Sequence, residues 1–287
     1  MVVVRTSGSV DVPSPHWPTY AAPVHPRLSV SAISTHRWTL AEDISFYAAA
    51  DIDQVGISLA KLEAAGLDAG VARVTDAGLR VTNLLGLGPF QLADAGRWPQ
   101  QQERLCRAVE AARAMAAECL VFTSGSADGL TWEAAADALA SALEPALTEA
   151  GRHGVRLALE HTNSLRADVS FVHTLRDAID LARSLGIGVC MECNACWLER
   201  GLGATISAGA DLIRLVQVSD FVVGTLSTPD RAVPGDGDIP LARILDRVLV
   251  SGYQGVFDLE LIGPRIEDEG YEAAIRRSLA AVQKLLP

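Results

Sequence analysis

Eight times between Arg27 and the C-terminus, a short run rich in Val, Ile and Leu gives way to a stretch with helical spacing. The apolar runs predict strands over Leu28–Ser34, Gln54–Ser58, Leu79–Leu85, Cys119–Ser124, Val155–His161, Gly188–Cys193, Leu212–Ser219 and Gly255–Leu261. Between them, helices are expected to open at Thr39, to run through an Ala-rich stretch to about Ala77, and to span Trp98 to Ala117 and Thr131 to His153. Further helices are expected over Thr174–Ser184, Gly203–Ala208, Ile239–Val250 and Tyr271–Leu286. Thr39-Leu-Ala-Glu42 has the pattern of a capping box, and Gly78 breaks the helix before the third strand. Strands that are apolar on both faces belong to parallel sheets covered by helices. Eight such units predict a single (β/α)8 TIM barrel, an α/β fold that commonly needs roughly 250 residues; the chain has 287. A doubly wound sheet usually places a glycine-rich loop after its first strand, whereas here Thr35-His36-Arg37-Trp38 follows it.

Residues 1–26 break the rhythm. They hold Pro13, Pro15, Pro18, Pro23 and Pro26 with no period of either kind, and they read as an irregular N-terminal arm or a poorly ordered leader. An arm of this kind could pack on a partner subunit of a homo-oligomer; residues 27–287 form the barrel. The formal net charge of −11 argues against nucleic acid and anionic membrane as partners, since both require a basic face. The sequence shows no apolar run of the ~18–20 residues that a membrane span requires, and the five cysteines read as reduced thiols, so a soluble cytoplasmic protein is expected.

Active-site groups of a barrel come from the C-terminal ends of its strands. The fifth strand ends in Glu160, the sixth in Glu192, and the eighth carries Asp258 and Glu260 on one face with Glu260 nearer the mouth. Alternation turns Gln217 inward on the seventh strand, which ends at Asp220. Glu160, Glu192, Gln217 and Glu260 therefore form a set of hard oxygen donors from four consecutive strands, suited to Mg²⁺ or Mn²⁺. Without a cation, three buried carboxylates would repel and at least one would become neutral.

From about Arg27 onward the chain resembles the sugar phosphate isomerase/epimerase superfamily, the xylose-isomerase-like TIM barrels that include ketose 3-epimerases and AP endonuclease IV. The resemblance is carried by Ala77-Gly-Leu-Arg-Val-Thr82, Leu157-Ala-Leu-Glu160, Gln217-Val-Ser-Asp220, Asp230-Arg231-Ala-Val-Pro-Gly-Asp-Gly-Asp-Ile239 and Gly252-Tyr-Gln-Gly255 leading to Leu259-Glu260. It implies a metal site of Glu, Asp, His and Glu from strands five to eight. Here Glu160 and Glu260 match the two glutamates, Glu192 stands at the Asp position, Gln217 at the His position, and Ala195 where a further histidine would be. It also implies a metal-dependent isomerase or epimerase of a sugar or related polyol or keto compound. Glu160 and Glu260 would then be catalytic proton-transfer groups as well as ligands, abstracting a proton next to a carbonyl to give a metal-stabilised enediolate. A lyase or dehydratase acting on an oxidised sugar through the same site, and a barrel that binds a small ligand without turnover, are the alternatives. AP endonuclease activity is excluded by the net charge and by histidines that do not fall at strand ends.

His36, Trp38, Phe90, Asn163, Trp197 and Arg231 are the candidate substrate-binding residues. They follow strands one, three, five, six and seven, and Arg231 offers a forked donor for hydroxyls or anions. A solvated or packing role is the alternative for each. His161 is expected to point away from the mouth, and His173 to sit at a helix start. Cys190, Cys193 and Cys196 have a C-x2-C-x2-C look; they are either cluster ligands or small apolar fillers, and alternation sends Cys190 and Cys193 to opposite faces.

Overall fold

A computed structural model describes residues 23–287. The expected N-terminal arm, residues 1–26, therefore lies outside the described residues except for its last four. Eight parallel strands close in sequence order into a barrel: β1 (Leu28–Ser31), β2 (Gln54–Ser58), β3 (Arg80–Leu87), β4 (Cys119–Thr123), β5 (Leu157–Glu160), β6 (Gly188–Glu192), β7 (Ile213–Val218) and β8 (Phe257–Leu259). The ring is sealed by β1 pairing β8, with Leu28 opposite Phe257 and Val30 opposite Leu259. Each strand starts and stops within about three residues of its sequence-based position. The main difference is at the first strand, where a 3-10 turn over Ala32–Thr35 takes over after Ser31.

The helices α1 (Leu40–Ala49), α2 (Leu59–Ala64), α3 (Leu67–Asp76), α4 (Trp98–Ala114), α5 (Trp132–His153) and α6 (Leu175–Leu185) cover the first part of the ring. The short α7 (Cys193–Cys196), then α8 (Leu202–Ala208), α9 (Leu241–Val250), α10 (Pro264–Glu269) and α11 (Tyr271–Gln283) complete it. Their ends follow from local chemistry. Thr39 and Glu42 form the capping box of α1, and Thr131 and Thr174 cap α5 and α6 with their hydroxyls. The Ala-rich stretch is two helices rather than one, because Gly66 takes a positive φ of 82° between α2 and α3.

Most of the apolar core lies between the outward strand faces and the helices. Inside the ring a smaller cluster of Leu85, Cys119, Val121, Ala158, Cys190, Leu215 and Val256 fills the barrel. Since strand side chains alternate, the residues two positions on, Glu160, Glu192, Gln217 and Asp258, also point inward. Asp258 lies deep in the ring, where Ser29 Oγ donates to it at 2.6 Å and Asn83 Nδ2 at 3.2 Å. Gly56 makes room for that network: a Cβ there would come within 2.8 Å of Asn83 Nδ2.

Candidate active site

Glu160 and Glu192 end β5 and β6, and Glu260 lies just past the end of β8. One carboxylate oxygen from each falls within 4.8 Å of the others. Glu192 and Glu260 are buried, while Glu160 is partly open to the cavity above them. Glu192 is also the N-cap of α7, its Oε1 accepting the Asn194 N–H at 2.9 Å. His161 points away from the mouth, as expected, and its Nε2 accepts the backbone N–H of Glu192 at 3.2 Å. Burial lowers its pKa to about 3, so it is a neutral acceptor holding the end of β6.

Arg231 reaches into the carboxylates from the loop after β7. Its Nη1 lies 2.5 Å from Glu192 Oε2 and 3.1 Å from the Glu260 carbonyl oxygen, and its Nη2 lies 3.2 Å from Glu260 Oε1. The loop is aimed by Asp220. Its backbone bridges to Ala232, and its carboxylate accepts the N–H groups of Phe221 at 2.9 Å, Gly235 at 2.8 Å and Ile239 at 3.0 Å. Gly237 has to be glycine, because a Cβ there would meet Asp220 Oδ1 at 2.4 Å. The Pro-Gly-Asp-Gly-Asp segment is thus a cradle for Asp220, and its consequence is the placement of Arg231.

Gln217 is fully buried; its Nε2 donates to the Glu260 carboxylate, while its Oε1 has no partner among the described residues. Burial and the charges of Glu260 and Glu192 raise the Glu160 carboxyl well above the usual range. Burial likewise raises Glu260 to about 7, with Arg231 opposing and Glu192 and Asp258 adding to the rise. Three carboxylates and one guanidinium would carry a formal −2 if all were ionised, the charge that a divalent cation balances. That balance, the hard oxygen donors and the unpartnered Gln217 Oε1 together fit a divalent ion.

Above these groups is a cavity of ≈270 Å³. Asn163 lines it near Glu160, with its own Oδ1 engaged by the Leu165 N–H at 2.9 Å. Arg231 lines it too. His36, Trp38, Phe90 and Trp197 are not among its lining residues. The turn after Ser31 carries His36 outward, its Nε2 3.3 Å from Glu267 Oε1, and stacks Trp38 edge-on between Phe46 and Tyr271 at 5.5 Å each. Phe90 is buried against Phe122, and Trp197 packs on the outer core and lines a separate surface hollow with Gly201 and Arg243. His173 stands before α6 and its Nδ1 meets the Thr162 carbonyl oxygen at 3.2 Å. The three clustered cysteines separate: Cys190 fills the barrel interior, while Cys193 and Cys196 pack in the outer layer. Sequence reasoning missed Ile33, Leu85, Leu87, Val121, Thr123, Arg166, Asn194 and Asp230 in the cavity wall. For the apolar ones no signal was available, since a cavity-lining Leu and a core Leu read alike.

A closed eight-stranded parallel barrel with a carboxylate cluster at its C-terminal mouth defines a class, and comparison with known proteins agrees. The xylose isomerase-like TIM barrel family matches residues 43–284, and this chain belongs to that family. It is similar to an inosose isomerase of Halalkalibacterium halodurans, 29% identical over 134 residues; the match covers 43% of this chain and 45% of that protein. Among solved structures it is similar to protein SMc04130 of Sinorhizobium meliloti 1021, with TM-score 0.82, 24% identity, and coverage of 91% of this chain and 98% of that one. It is also similar to the IOLI protein with a binding zinc atom, with TM-score 0.77, 17% identity, and coverage of 90% and 97%. No helix among the described residues is long and apolar enough to cross a membrane.

Proposed function

We propose that the protein is an isomerase or epimerase of a sugar or related keto-polyol, acting by moving a proton on the carbon next to a carbonyl. The observation that carries this reading is the convergence of Glu160, Glu192 and Glu260 with Arg231 at the floor of one cavity. Family membership and the similarity to an inosose isomerase support the reaction class.

Glu160, Glu192, Gln217 and Glu260 would hold a divalent cation, Mg²⁺ or Mn²⁺ by the hardness of their oxygens. When bound, such an ion supplies Lewis-acid stabilisation for negative charge on the substrate's carbonyl and hydroxyl oxygens. The protein's own groups carry the proton. Glu260, at the cavity floor beside Glu160 and Glu192, is placed to take a proton from carbon. Glu160, partly open to the cavity, is placed to give one back. Arg231 presents a fixed fork of N–H donors that can orient oxygens of the substrate. The test is to incubate the protein with keto-polyols and Mn²⁺ and identify products by NMR and mass. An isomer of unchanged composition supports the reading. Loss of water would mean a lyase, and binding with no product would mean a binding barrel.

A further inference from the structure

The cavity is divided by chemistry along the line of the strands. Over β5 to β8 it presents Glu160, Glu192, Glu260 and Arg231, with further polar side chains, among them Asn163, Arg166 and Asn194, in the loops that follow those strands. Over β1, β3 and β4 the inward side chains are Ile33, Leu85, Leu87 and Val121, joined by Gly86, Gly88 and Pro89, while the Phe122 ring packs outward on Phe90. On that half the single polar side chain among the described residues is Thr123, whose hydroxyl donates to the Leu87 carbonyl oxygen at 3.5 Å. Leu85, Leu87 and Val121 are between 1% and 4% exposed, so they are fixed in the packing of the ring and cannot turn aside to admit water.

A substrate whose carbonyl and neighbouring hydroxyl face the carboxylates must lay its opposite edge against this alkyl wall. A hydroxyl on that edge would lose its water and, beyond reach of Thr123, find no side-chain partner, a loss of roughly 10-fold or more in affinity for each one. A CH₂ in the same place gains burial instead. Resting on the proton-transfer reading above, we propose that the substrate is an α-hydroxy ketone with its oxygens confined to one edge. The carbons remote from the carbonyl carry hydrogen or alkyl groups, so a fully hydroxylated sugar or cyclitol is a poor fit. Leu87 and Val121 are the specificity-determining residues: Leu87 ends β3, and Val121 lies inside β4 on its inward face, two residues before its end, and both line the cavity.

The experiment compares two rings of one shape that cannot enolise, cyclohexane-1,2,3-triol and its hexahydroxy counterpart, titrated calorimetrically into the Mn²⁺-treated full chain. The triol is expected to bind at least ~10-fold more tightly. Leu87→Asn and Val121→Thr, each of nearly unchanged size, should narrow that preference by at least ~3-fold while retaining a cooperative melt. Equal or tighter binding of the hexahydroxy ring, or no detectable binding of either, overturns the proposal. A variant that fails to melt cooperatively leaves the wild-type comparison as the deciding result. Deuterium exchange from solvent into 2,3-dihydroxycyclohexanone and pentahydroxycyclohexanone separates the two claims. Preference for the triol without exchange into either ketone sinks the proton-transfer reading and spares the divided cavity; exchange faster into the pentahydroxy ketone does the reverse.

Discussion

The guanidinium of Arg231 lies 2.5 Å from the Glu192 carboxylate, and both side chains are almost wholly removed from solvent. A buried ion pair is costly to break because the surviving charge keeps its desolvation penalty without its partner. Arg231→Gln leaves three carboxylates with no counter-charge. Its melting temperature in chelator should fall by the equivalent of ~3–5 kcal/mol, and added Mn²⁺ should raise it by more than it raises the wild type. An equal Mn²⁺ shift in both proteins would show that Arg231 and the ion do not share these oxygens.

Gln217 offers an oxygen where the family pattern has histidine. The neutral carboxamide adds no charge, and imidazole nitrogen favours late transition metals. Gln217→His should tighten Zn²⁺ and Co²⁺ more than Mg²⁺, and Gln217→Leu should weaken all three, read by isothermal titration. If the Leu variant binds every ion as tightly as wild type, Gln217 is not a ligand.

Asp258 gives a pH signature for stability. Burial raises its pKa to about 7, although hydrogen bonds from Ser29 and Asn83 pull the other way. A carboxyl raised in the folded state contributes stability that is complete below its ordinary value near 3.8 and is lost as pH rises through 7. Asp258→Asn removes that term. Compared by denaturant unfolding, wild type should lose ground to the variant by up to about 4 kcal/mol between pH 4 and pH 8. A difference independent of pH would show that Asp258 titrates normally.

Lys61 ties the entrance of the barrel together. Its Nζ donates to Asp43 Oδ2 at 2.6 Å and to the Thr35 carbonyl at 2.8 Å, joining α2, α1 and the turn after β1. Lys61→Met alone should cost ~3–5 kcal/mol, because it strands the buried Asp43. Adding Asp43→Leu should recover part of that loss, and a double-mutant cycle with no coupling would contradict the pairing.

The barrel was legible because parallel strands announce themselves as apolar runs, and the acids were legible because a glutamate ending such a run has few other reasons to be there. What was not legible depended on backbone direction. His36 and Trp38 follow the first strand in sequence, yet the 3-10 turn over Ala32–Thr35 swings them onto Tyr271 and Glu267. Asp220 reads in sequence as a strand end like Glu160, but it lies two residues past β7 and turns to hold the Gly235–Ile239 turn. The six-residue α10, Pro264–Glu269, is too short and polar to show a helical period.

The most direct test of the central claim is solvent-deuterium incorporation next to the carbonyl of a keto-polyol, followed by NMR in wild type, Glu160→Gln and Glu260→Gln. Wild type with Mn²⁺ should exchange, and each variant should be slower by at least ~10²-fold, the usual scale for general acid–base groups. Exchange at the wild-type rate in both variants would contradict the assignment of Glu160 and Glu260 as the proton-transfer pair.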